Sequence, residues 1–241
     1  MLVNNCYYHF KSVLDNETCD KIISLGLSKQ ILNATTRGNQ EKSSKKNAFS
    51  IEDKTIQEIN KNNQDYYVRD SEISWLTDSW LYDLILPFLN MANEKAGWKY
   101  NIDSFESFQF TKYNSPGGFY GWHNDGAGDH LSVFKRFIPG IHKYNKSGDV
   151  PSGYVIDNRL VNKVRKISMT INLSTENSYE GGNLKFDFGP HSEKERFYEC
   201  LEIRPRGSII VFPSHIYHQV TPVTKGTRYS LVLWACGRPF K

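Results

Sequence analysis

The stretch VFPSHIYHQVTPVTKGTRYSLVLW, residues 211–234, places a buried strand, two histidines, a turn and a second strand next to one another. Three earlier segments, FESFQFTKY (105–113), KISMTINLS (166–174) and NLKFDFG (183–189), alternate apolar and polar residues with the period of two that is typical of strands. Because these strands follow helical patterns, the sequence predicts a mainly β fold with flanking helices. Two antiparallel sheets packed as a jelly roll account for the strands better than a parallel sheet does.

Two amphipathic segments predict the flanking helices. The first begins in DNETCDKIISLGL (15–27), where Asp15 or Asn16 can cap the N-terminus of the helix. Its apolar residues share one face at helical spacing, namely Cys19, Ile22, Ile23 and Leu27. The second covers about residues 78–96, and Pro87 within it predicts a kink or a break into two helices.

The length of the chain is consistent with one domain over residues 1–241. We expect helical support at about residues 10–97 and the β core at about residues 104–236. An insert at about residues 126–164 carries two prolines and five glycines and interrupts the strand pattern. Long loops in compact domains often have a function, so this insert is interpreted either as a lid that closes over a pocket or as a tolerated insertion.

Composition excludes several classes of protein. The net charge of +4 is only mildly basic, which gives little support for a nucleic-acid partner. The lysine-rich run at residues 39–47 is therefore interpreted as a solvated loop. The four cysteines lie far apart, which disfavours a disulfide framework or a zinc ribbon. With no signal-type leader and no apolar run near the ~20 residues of a membrane span, we expect a cytoplasmic protein without a membrane partner.

The pair His123 and Asp125 lies in GGFYGWHNDGAG (117–128), after a run of aromatic residues. On a strand, residues two apart point to the same side, so the imidazole and the carboxylate can face one metal ion together. A third ligand is needed from a distant strand. Of the two histidines in the stretch 211–234, His218 is favoured, because His215 has the opposite parity and follows FPS in a bend.

The spacing after His218 predicts a hairpin centred at Thr224. In that hairpin His218 lies opposite Ser230, and Val220 lies opposite Arg228, so that all four share one face. Two histidines and one carboxylate form the facial triad that non-haem Fe(II) oxygenases use, with open positions for other ligands. A buried arginine near such a triad needs an anionic partner, and its fork matches a carboxylate. Ser230 can add a hydroxyl donor.

With these motifs the chain resembles the Fe(II)- and 2-oxoglutarate-dependent oxygenase superfamily, in the branch of prolyl 4-hydroxylase catalytic domains and their bacterial and phage-type relatives. The resemblance runs from about residue 10 to 236 and includes FESFQFTKYNSPGGFYGWHND, RKISMTINLS and YEGGNLKF. It implies a double-stranded β-helix core, an Fe(II) ion, 2-oxoglutarate as cosubstrate, O₂, and ascorbate as an optional accessory. It also implies that Fe(II) is bound by His123, Asp125 and His218, and the distal carboxylate of 2-oxoglutarate by Arg228.

The resemblance assigns further residues to the cosubstrate pocket. Tyr113 matches a tyrosine that lines this pocket, while Ser168 and Asn172 fall on the strand that faces it. Trp234 matches a tryptophan that borders the iron site in some relatives, although an ordinary core aromatic is an equal interpretation. Gly181 and Gly182 match a Gly-Gly turn, where the lack of a side chain lets two chain segments approach closely.

The activity that the resemblance implies is hydroxylation of a C–H bond. Asp125 favours hydroxylation, since halogenating relatives lack this carboxylate. A prolyl residue of a protein or peptide is the first expectation for the substrate, followed by a free amino acid or another small molecule. Nucleic-acid demethylation comes third, because alkylation-repair relatives carry an arginine where Trp234 stands.

A non-catalytic metal- or carbohydrate-binding jelly-roll module is the alternative of another class. Arg228 itself departs from the collagen-type enzymes, which carry lysine there.

Overall fold

A computed structural model describes residues 5–34, 69–126, 133–145, 148, 150–151, 153–190 and 196–240. The α-helices among these residues are α1 (Asn16–Ser28) and α2 (Ser79–Lys95). The lysine-rich run at 39–47 lies outside the described residues. None of the described helices has both the length and the hydropathy that crossing a membrane requires.

Two antiparallel sheets form the body of the protein. The larger sheet contains β1 (Tyr8–Phe10), β2 (Leu32–Asn33), β4 (Glu72–Leu76), β5 (Ser104–Phe105), β6 (Phe108–Asn114), β10 (Val164–Asn172), β11 (Tyr179–Gly181), β14 (Ile209–Pro213) and β16 (Val223–Gly237). The smaller sheet contains β3 (Arg69–Asp70), β7 (Phe119–His123), β12 (Leu184–Asp187), β13 (Phe197–Glu199) and β15 (Tyr217–Val220). Facing sheets of this kind confirm the predicted jelly roll.

The strand order places the longest strands at the centre of the larger sheet. That order is β1–β14–β10–β16–β6–β4–β2, with β11 and β5 pairing at the two ends of β16. The smaller sheet runs β13–β12–β15–β7–β3. The short strands β1 to β4 were not predicted. Strands of two to five residues show only a few alternations, so their pattern is weak.

The two faces of the larger sheet bury different kinds of side chain. On one face, apolar residues such as Phe108 and Phe110 pack against α1 and α2 in the main core. On the other face, polar residues such as Gln109, Thr111 and Ser168 are buried towards the smaller sheet. The alternation in the sequence is therefore real, but its polar side faces an internal cavity.

Helix α1 begins where it was predicted to begin. The carboxylate of Asp15 accepts a hydrogen bond from the backbone N–H of Thr18 at 2.8 Å. Its buried face is not quite the predicted one, since Gly26 is buried while Leu27 is 41% exposed. Phe110 explains the difference, because a Cβ atom on residue 26 would lie 2.3 Å from its Cγ, so only glycine allows this close approach.

Helix α2 runs without interruption through Pro87, so the predicted break into two helices is wrong. Its buried side chains repeat at helical spacing on one face: Leu81, Ile85, Leu89 and Ala92. This packing against the core offsets the loss of a backbone hydrogen bond at the proline.

The predicted hairpin between His218 and Arg228 is also wrong. Strand β15 pairs with β12 and β7 in the smaller sheet, whereas β16 pairs with β10 and β6 in the larger one. The chain crosses between the sheets at residues 221–222. The carbonyl oxygen of Pro222 accepts a hydrogen bond from Gly182 N–H at 3.1 Å, and Val223 N–H donates to the carbonyl of Gly118 at 2.9 Å. These bonds fix the crossing, and the expected turn near Thr224 lies within β16.

The described part of the insert is folded against the end of the larger sheet. Its strands β8 (Lys135–Arg136) and β9 (Tyr154–Val155) form a parallel pair. Phe134 and Leu160 pack with Cys236 of β16 in a small buried cluster. Closure of the insert over a pocket stays a prediction.

Candidate metal centre and its pocket

Three candidate metal ligands meet in the cavity between the two sheets. His123 ends β7, Asp125 follows two residues later, and His218 of β15 lies directly opposite His123. The Nε2 atoms of His123 and His218 lie 3.7 and 3.6 Å from the two carboxylate oxygens of Asp125. One ligand atom from each residue lies within 4.8 Å of the others. The structure thus brings together the three predicted residues, whereas His215 is exposed in the turn before β15.

The backbone fixes the tautomer of both histidines. Nδ1 of His123 lies 2.7 Å from the carbonyl oxygen of Gly121, and Nδ1 of His218 lies 3.0 Å from that of Ile216. Because a carbonyl oxygen only accepts, each Nδ1 carries the hydrogen, and each Nε2 keeps a free lone pair. Nε2 of His123 is buried and has no hydrogen-bond partner. A buried acceptor of this kind is well suited to a metal ion.

Electrostatics favour the protonation states that metal binding requires. Burial lowers the pKa of His123 from 6.5 to about 3, and the neighbouring His218 lowers it further. Burial by itself raises the pKa of Asp125, but the two histidines outweigh it and hold that pKa at about 2. At neutral pH the site therefore offers a neutral His123 imidazole beside an ionised carboxylate.

Arg228 is the largest fully buried side chain of the cavity wall, at 1% exposure. Its Nε and Nη1 atoms have no hydrogen-bond partner. Its guanidinium carbon lies 5.3 Å from the ring centroid of Tyr113, the residue opposite it on β6. A Cβ atom on Gly182 would lie 2.9 Å from Cδ of Arg228, so the Gly-Gly turn makes room for the arginine. A buried, unpaired guanidinium is costly unless an anion binds it.

The remaining predicted pocket residues divide into two groups. Ser168 and Ser230 line the cavity, and the Ser168 hydroxyl lies 2.9 Å from that of Ser214. Asn172 also lies on β10, but its amide donates to the carbonyls of Ser174 at 3.0 Å and Arg204 at 2.6 Å. Asn172 thus holds the loop after β10 and does not line the cavity.

Trp234 lines the far end of the cavity from Arg228. Its indole Nε1 is buried without a hydrogen-bond partner. The guanidinium carbon of Arg165 lies 3.9 Å from its ring centroid. Arg165 also forms a fork with the carboxylate of Glu106, with N–O distances of 2.5 and 2.6 Å. This end of the cavity is therefore held by a closed ion pair.

Sequence reasoning missed a second group around Arg69. Arg69 donates from Nε to the hydroxyl of Ser71 and from Nη2 to the side-chain carbonyl of Gln109, both at 2.8 Å. Its guanidinium carbon lies 4.4 Å from the ring centroid of Tyr120, and that ring stacks on His123 at 3.5 Å and 15°. The alternation in VRDSEISWL (68–76) was the available signal, since it gives Arg69 and Ser71 the same parity.

Comparison with curated proteins gives partial matches. A PKHD-type hydroxylase of Synechococcus sp. strain JA-3-3Ab is 41% identical over 68 residues, which is 28% of this chain and 27% of the relative. A PKHD-type hydroxylase of Bordetella pertussis is 34% identical over 109 residues, covering 42% of this chain and 43% of the relative. The matched stretches thus span less than half of each of these relatives.

Solved structures with similar folds cover nearly the whole chain. The 2-oxoglutarate complex of a viral collagen prolyl hydroxylase from Paramecium Bursaria Chlorella virus-1 has a TM-score of 0.53 at 17% identity, covering 98% of this chain and 99% of its own. A Trichoplax adhaerens prolyl hydroxylase, in complex with a hypoxia inducible factor peptide, has a TM-score of 0.58 at 14% identity, with 96% and 83% covered. The fold is the double-stranded β-helix of these enzymes.

A family model extends this likeness to the residues of the site. It matches residues 108–236, which include all three candidate metal ligands and Arg228. That match covers more than half of the chain, from the start of β6 almost to the end of β16. The protein belongs to the 2OG-Fe(II) oxygenase superfamily.

Proposed function

We propose that this protein is an Fe(II)- and 2-oxoglutarate-dependent dioxygenase that hydroxylates a prolyl residue of a protein or peptide. One observation carries the proposal: two histidines and a carboxylate converge in the same cavity as an unpaired, fully buried arginine. The triad is the donor set for Fe(II), and the arginine is the donor for a distal carboxylate.

The described residues fit an Fe(II) ion. His123, Asp125 and His218 would hold it through two Nε2 atoms and a carboxylate oxygen, which leaves further coordination positions open. The hydrogen bonds from Nδ1 to the carbonyls of Gly121 and Ile216 keep both imidazoles aimed at one point. The buried Nε2 of His123 without a partner is the direct sign that a ligand of this centre belongs there.

The cavity wall also fits 2-oxoglutarate. Arg228 would bind the carboxylate far from the metal, and the Tyr113 ring beside it helps to enclose that end. Apolar side chains from both sheets exclude water around the centre, among them Leu184, Phe212 and Val220.

When bound, Fe(II) with 2-oxoglutarate and O₂ supplies the oxidising power to insert one oxygen atom into a C–H bond, while 2-oxoglutarate leaves as succinate and CO₂. The chain contributes position and protection. Arg228 fixes the orientation of the cosubstrate, and the carbonyl-anchored histidines keep the ligand atoms in place. The buried, ionised Asp125 supplies a negative charge that partly balances the metal.

The prolyl substrate is supported by the kind of proteins that this chain resembles. Relatives carry the name PKHD-type hydroxylase, and structures with a similar fold are prolyl hydroxylases, one of them with a bound peptide. Hydroxylation of a free amino acid or another small molecule is the second candidate. A non-catalytic module is disfavoured, because such a module has no use for a buried, unpaired Arg228.

The metal assignment is tested with two alanine variants. Asp125→Ala removes the only carboxylate of the triad, so both Mn(II) binding and conversion of 2-oxoglutarate to succinate should be lost. His215→Ala, in the exposed turn before β15, is the matched control and should keep both. Retention of succinate formation in Asp125→Ala would overturn the assignment.

The substrate is tested separately by mass spectrometry. Proline-containing peptides and a panel of free amino acids are incubated with Fe(II), 2-oxoglutarate and the protein. A gain of one oxygen atom, +16 Da, on proline is the expected result. The same gain only on a free amino acid would contradict the peptide substrate while leaving the oxygenase chemistry intact.

A further inference from the structure

We propose that Arg69 binds a carboxylate group of the substrate. This inference rests on the proposed oxygenase function, because it concerns a second anionic ligand in the same cavity. It adds a chemical property of the substrate that neither the triad nor Arg228 defines.

The surroundings of Arg69 point to a missing anion. Its side chain is 9% exposed and lines the cavity, yet its contacts are the neutral groups of Ser71, Gln109 and Tyr120. Across the described ranges, no carboxylate forms an ion pair with Arg69. The neighbouring Asp70 is exposed, as expected for the opposite face of β3. Contacts through Nε and Nη2 leave Nη1 for a ligand.

Arg165, which stacks on the cavity-lining Trp234, is an arginine whose counter-charge the chain supplies. Its guanidinium is matched by both oxygens of Glu106, so the chain itself supplies the counter-charge. Arg69 is at least as buried, and none of the described carboxylates pairs with it. Because a buried cation without an anion is destabilising, the difference indicates that the anion of Arg69 comes from a ligand.

The charges in the loaded cavity also indicate a missing anion. The two positive charges of Fe(II) and the one of Arg228 are balanced by Asp125 and the two carboxylates of 2-oxoglutarate. Arg165 is balanced by Glu106. Among the described residues that line the cavity, Arg69 is the positive charge that remains. One carboxylate on the substrate would make the loaded cavity neutral.

The position of Arg69 fits the substrate better than the cosubstrate. A single aromatic ring, Tyr120, separates its guanidinium from His123. Gln109, which Arg69 contacts, pairs with Val232, whereas Arg228 lies four residues away on β16 and pairs with Tyr113. Arg69 is therefore beside the metal centre, away from the residue proposed to hold the distal end of 2-oxoglutarate.

The carboxylate that Arg69 would bind can be an acidic side chain of a peptide or the α-carboxylate of a free amino acid.

Matched probes test this directly by calorimetric titration of the protein loaded with Mn(II) and 2-oxoglutarate. Each pair has a carboxylate and its neutral amide: acetyl-Ala-Pro-Glu-Ala-amide with the glutamine peptide, L-proline with L-prolinamide, and N-acetylglycine with N-acetylglycinamide. At least one carboxylate should bind about tenfold or more tightly than its amide, as expected for a charge-assisted hydrogen bond. The pair that shows the preference identifies the source of the carboxylate.

Two variants should remove that preference, and one should keep it. Arg69→Gln removes the cation, while Gln109→Glu places a carboxylate against Arg69 from within the chain. Arg159→Gln is the control, since Arg159 is exposed, pairs with Asp157 and does not line the cavity. Affinity for 2-oxoglutarate should stay within about twofold in Arg69→Gln. If Arg69→Gln does not fold, loss of the preference in Gln109→Glu serves as the test.

Three results would overturn the inference. The first is that the wild-type protein prefers the carboxylate over the amide in no pair, and the second is that the preference persists in both variants. The third is that Arg69→Gln loses as much affinity for 2-oxoglutarate as it loses for the carboxylate probe. Failure of the prolyl proposal looks different. In that case an Arg69-dependent preference is present, while no prolyl peptide gains +16 Da with Fe(II).

Discussion

The two ends of the cavity place an arginine in opposite circumstances. At one end, Arg165 stacks on Trp234 and donates from Nε and Nη2 to the two carboxylate oxygens of Glu106. At the other end, Arg228 is buried to 1% exposure with two nitrogen atoms that lack a partner. The first arginine is completed by the chain, so it stabilises the fold. The second has no such partner among the described residues, which is why we propose that it stabilises a complex with a ligand.

The largest expected effect comes from breaking the completed end. Arg165→Met leaves the largely buried carboxylate of Glu106 without its cationic partner, so the free energy of unfolding should fall by about 3–5 kcal/mol. Denaturation by urea, monitored by circular dichroism, measures this loss. Arg159→Met breaks an exposed pair with Asp157 and should cost less than about 1 kcal/mol. Equal losses in the two variants would contradict a special role for the buried pair.

Substitution of Arg228 by methionine, at the other end of the cavity, should change the affinity for 2-oxoglutarate. Arg228→Met removes the partner proposed for a carboxylate, so 2-oxoglutarate affinity should fall by about 2–5 kcal/mol, which is roughly 30-fold or more. Without ligand, the free energy of unfolding should stay the same or rise, because an unpaired buried charge is lost. Titration of the Mn(II)-loaded protein and urea denaturation measure the two quantities. A large loss of stability without loss of affinity would reverse the assignment of the two ends.

Between these ends, the metal-free triad should make stability depend on pH. The pKa of His123 is about 3 in the folded protein and 6.5 in the unfolded chain. Below pH 6.5 the unfolded chain therefore binds a proton that the folded protein does not, and acid favours unfolding. Asp125 acts in the same direction between pH 3.8 and about 2. The free energy of unfolding should fall steadily from pH 7 to pH 4.

His123→Gln should flatten this dependence, whereas His9→Gln, at an exposed position, should keep it. Urea denaturation of the metal-free protein at several pH values gives both slopes. An unchanged slope in His123→Gln would mean that other groups account for the acid sensitivity.

The sequence predicted the parts of the site that depend on parity. His123, Asp125 and His218 could be chosen because alternation on a strand is local, and a wrong pairing of strands does not change which face a residue occupies. Which strands pair with one another could not be deduced from the sequence. Arg228 lies ten residues after His218, a spacing that fits a hairpin as well as a crossing between sheets.

The groups that the sequence did not reveal depend on distant contacts. Arg69 follows a long polar stretch, and nothing local indicates that Gln109 and Tyr120 will surround it. Glu106 and Arg165 are 59 residues apart and meet only because β5 and β10 both reach the end of β16.

The helices were easier to predict from the sequence. Packing nevertheless kept α2 continuous through Pro87, and it placed Gly26 rather than Leu27 at the core.

The crossing at residues 221–222 has a consequence for the choice of cosubstrate. It carries the chain from the sheet that holds His218 to the sheet that holds Arg228, and backbone hydrogen bonds from Gly182 and Val223 fasten it. The separation between the metal ligands and the guanidinium is therefore set by the spacing of two rigid sheets. A fixed separation of this kind should discriminate between diacids by the number of carbon atoms in the chain. We therefore expect the protein to bind the five-carbon diacid more tightly than its four- and six-carbon homologues.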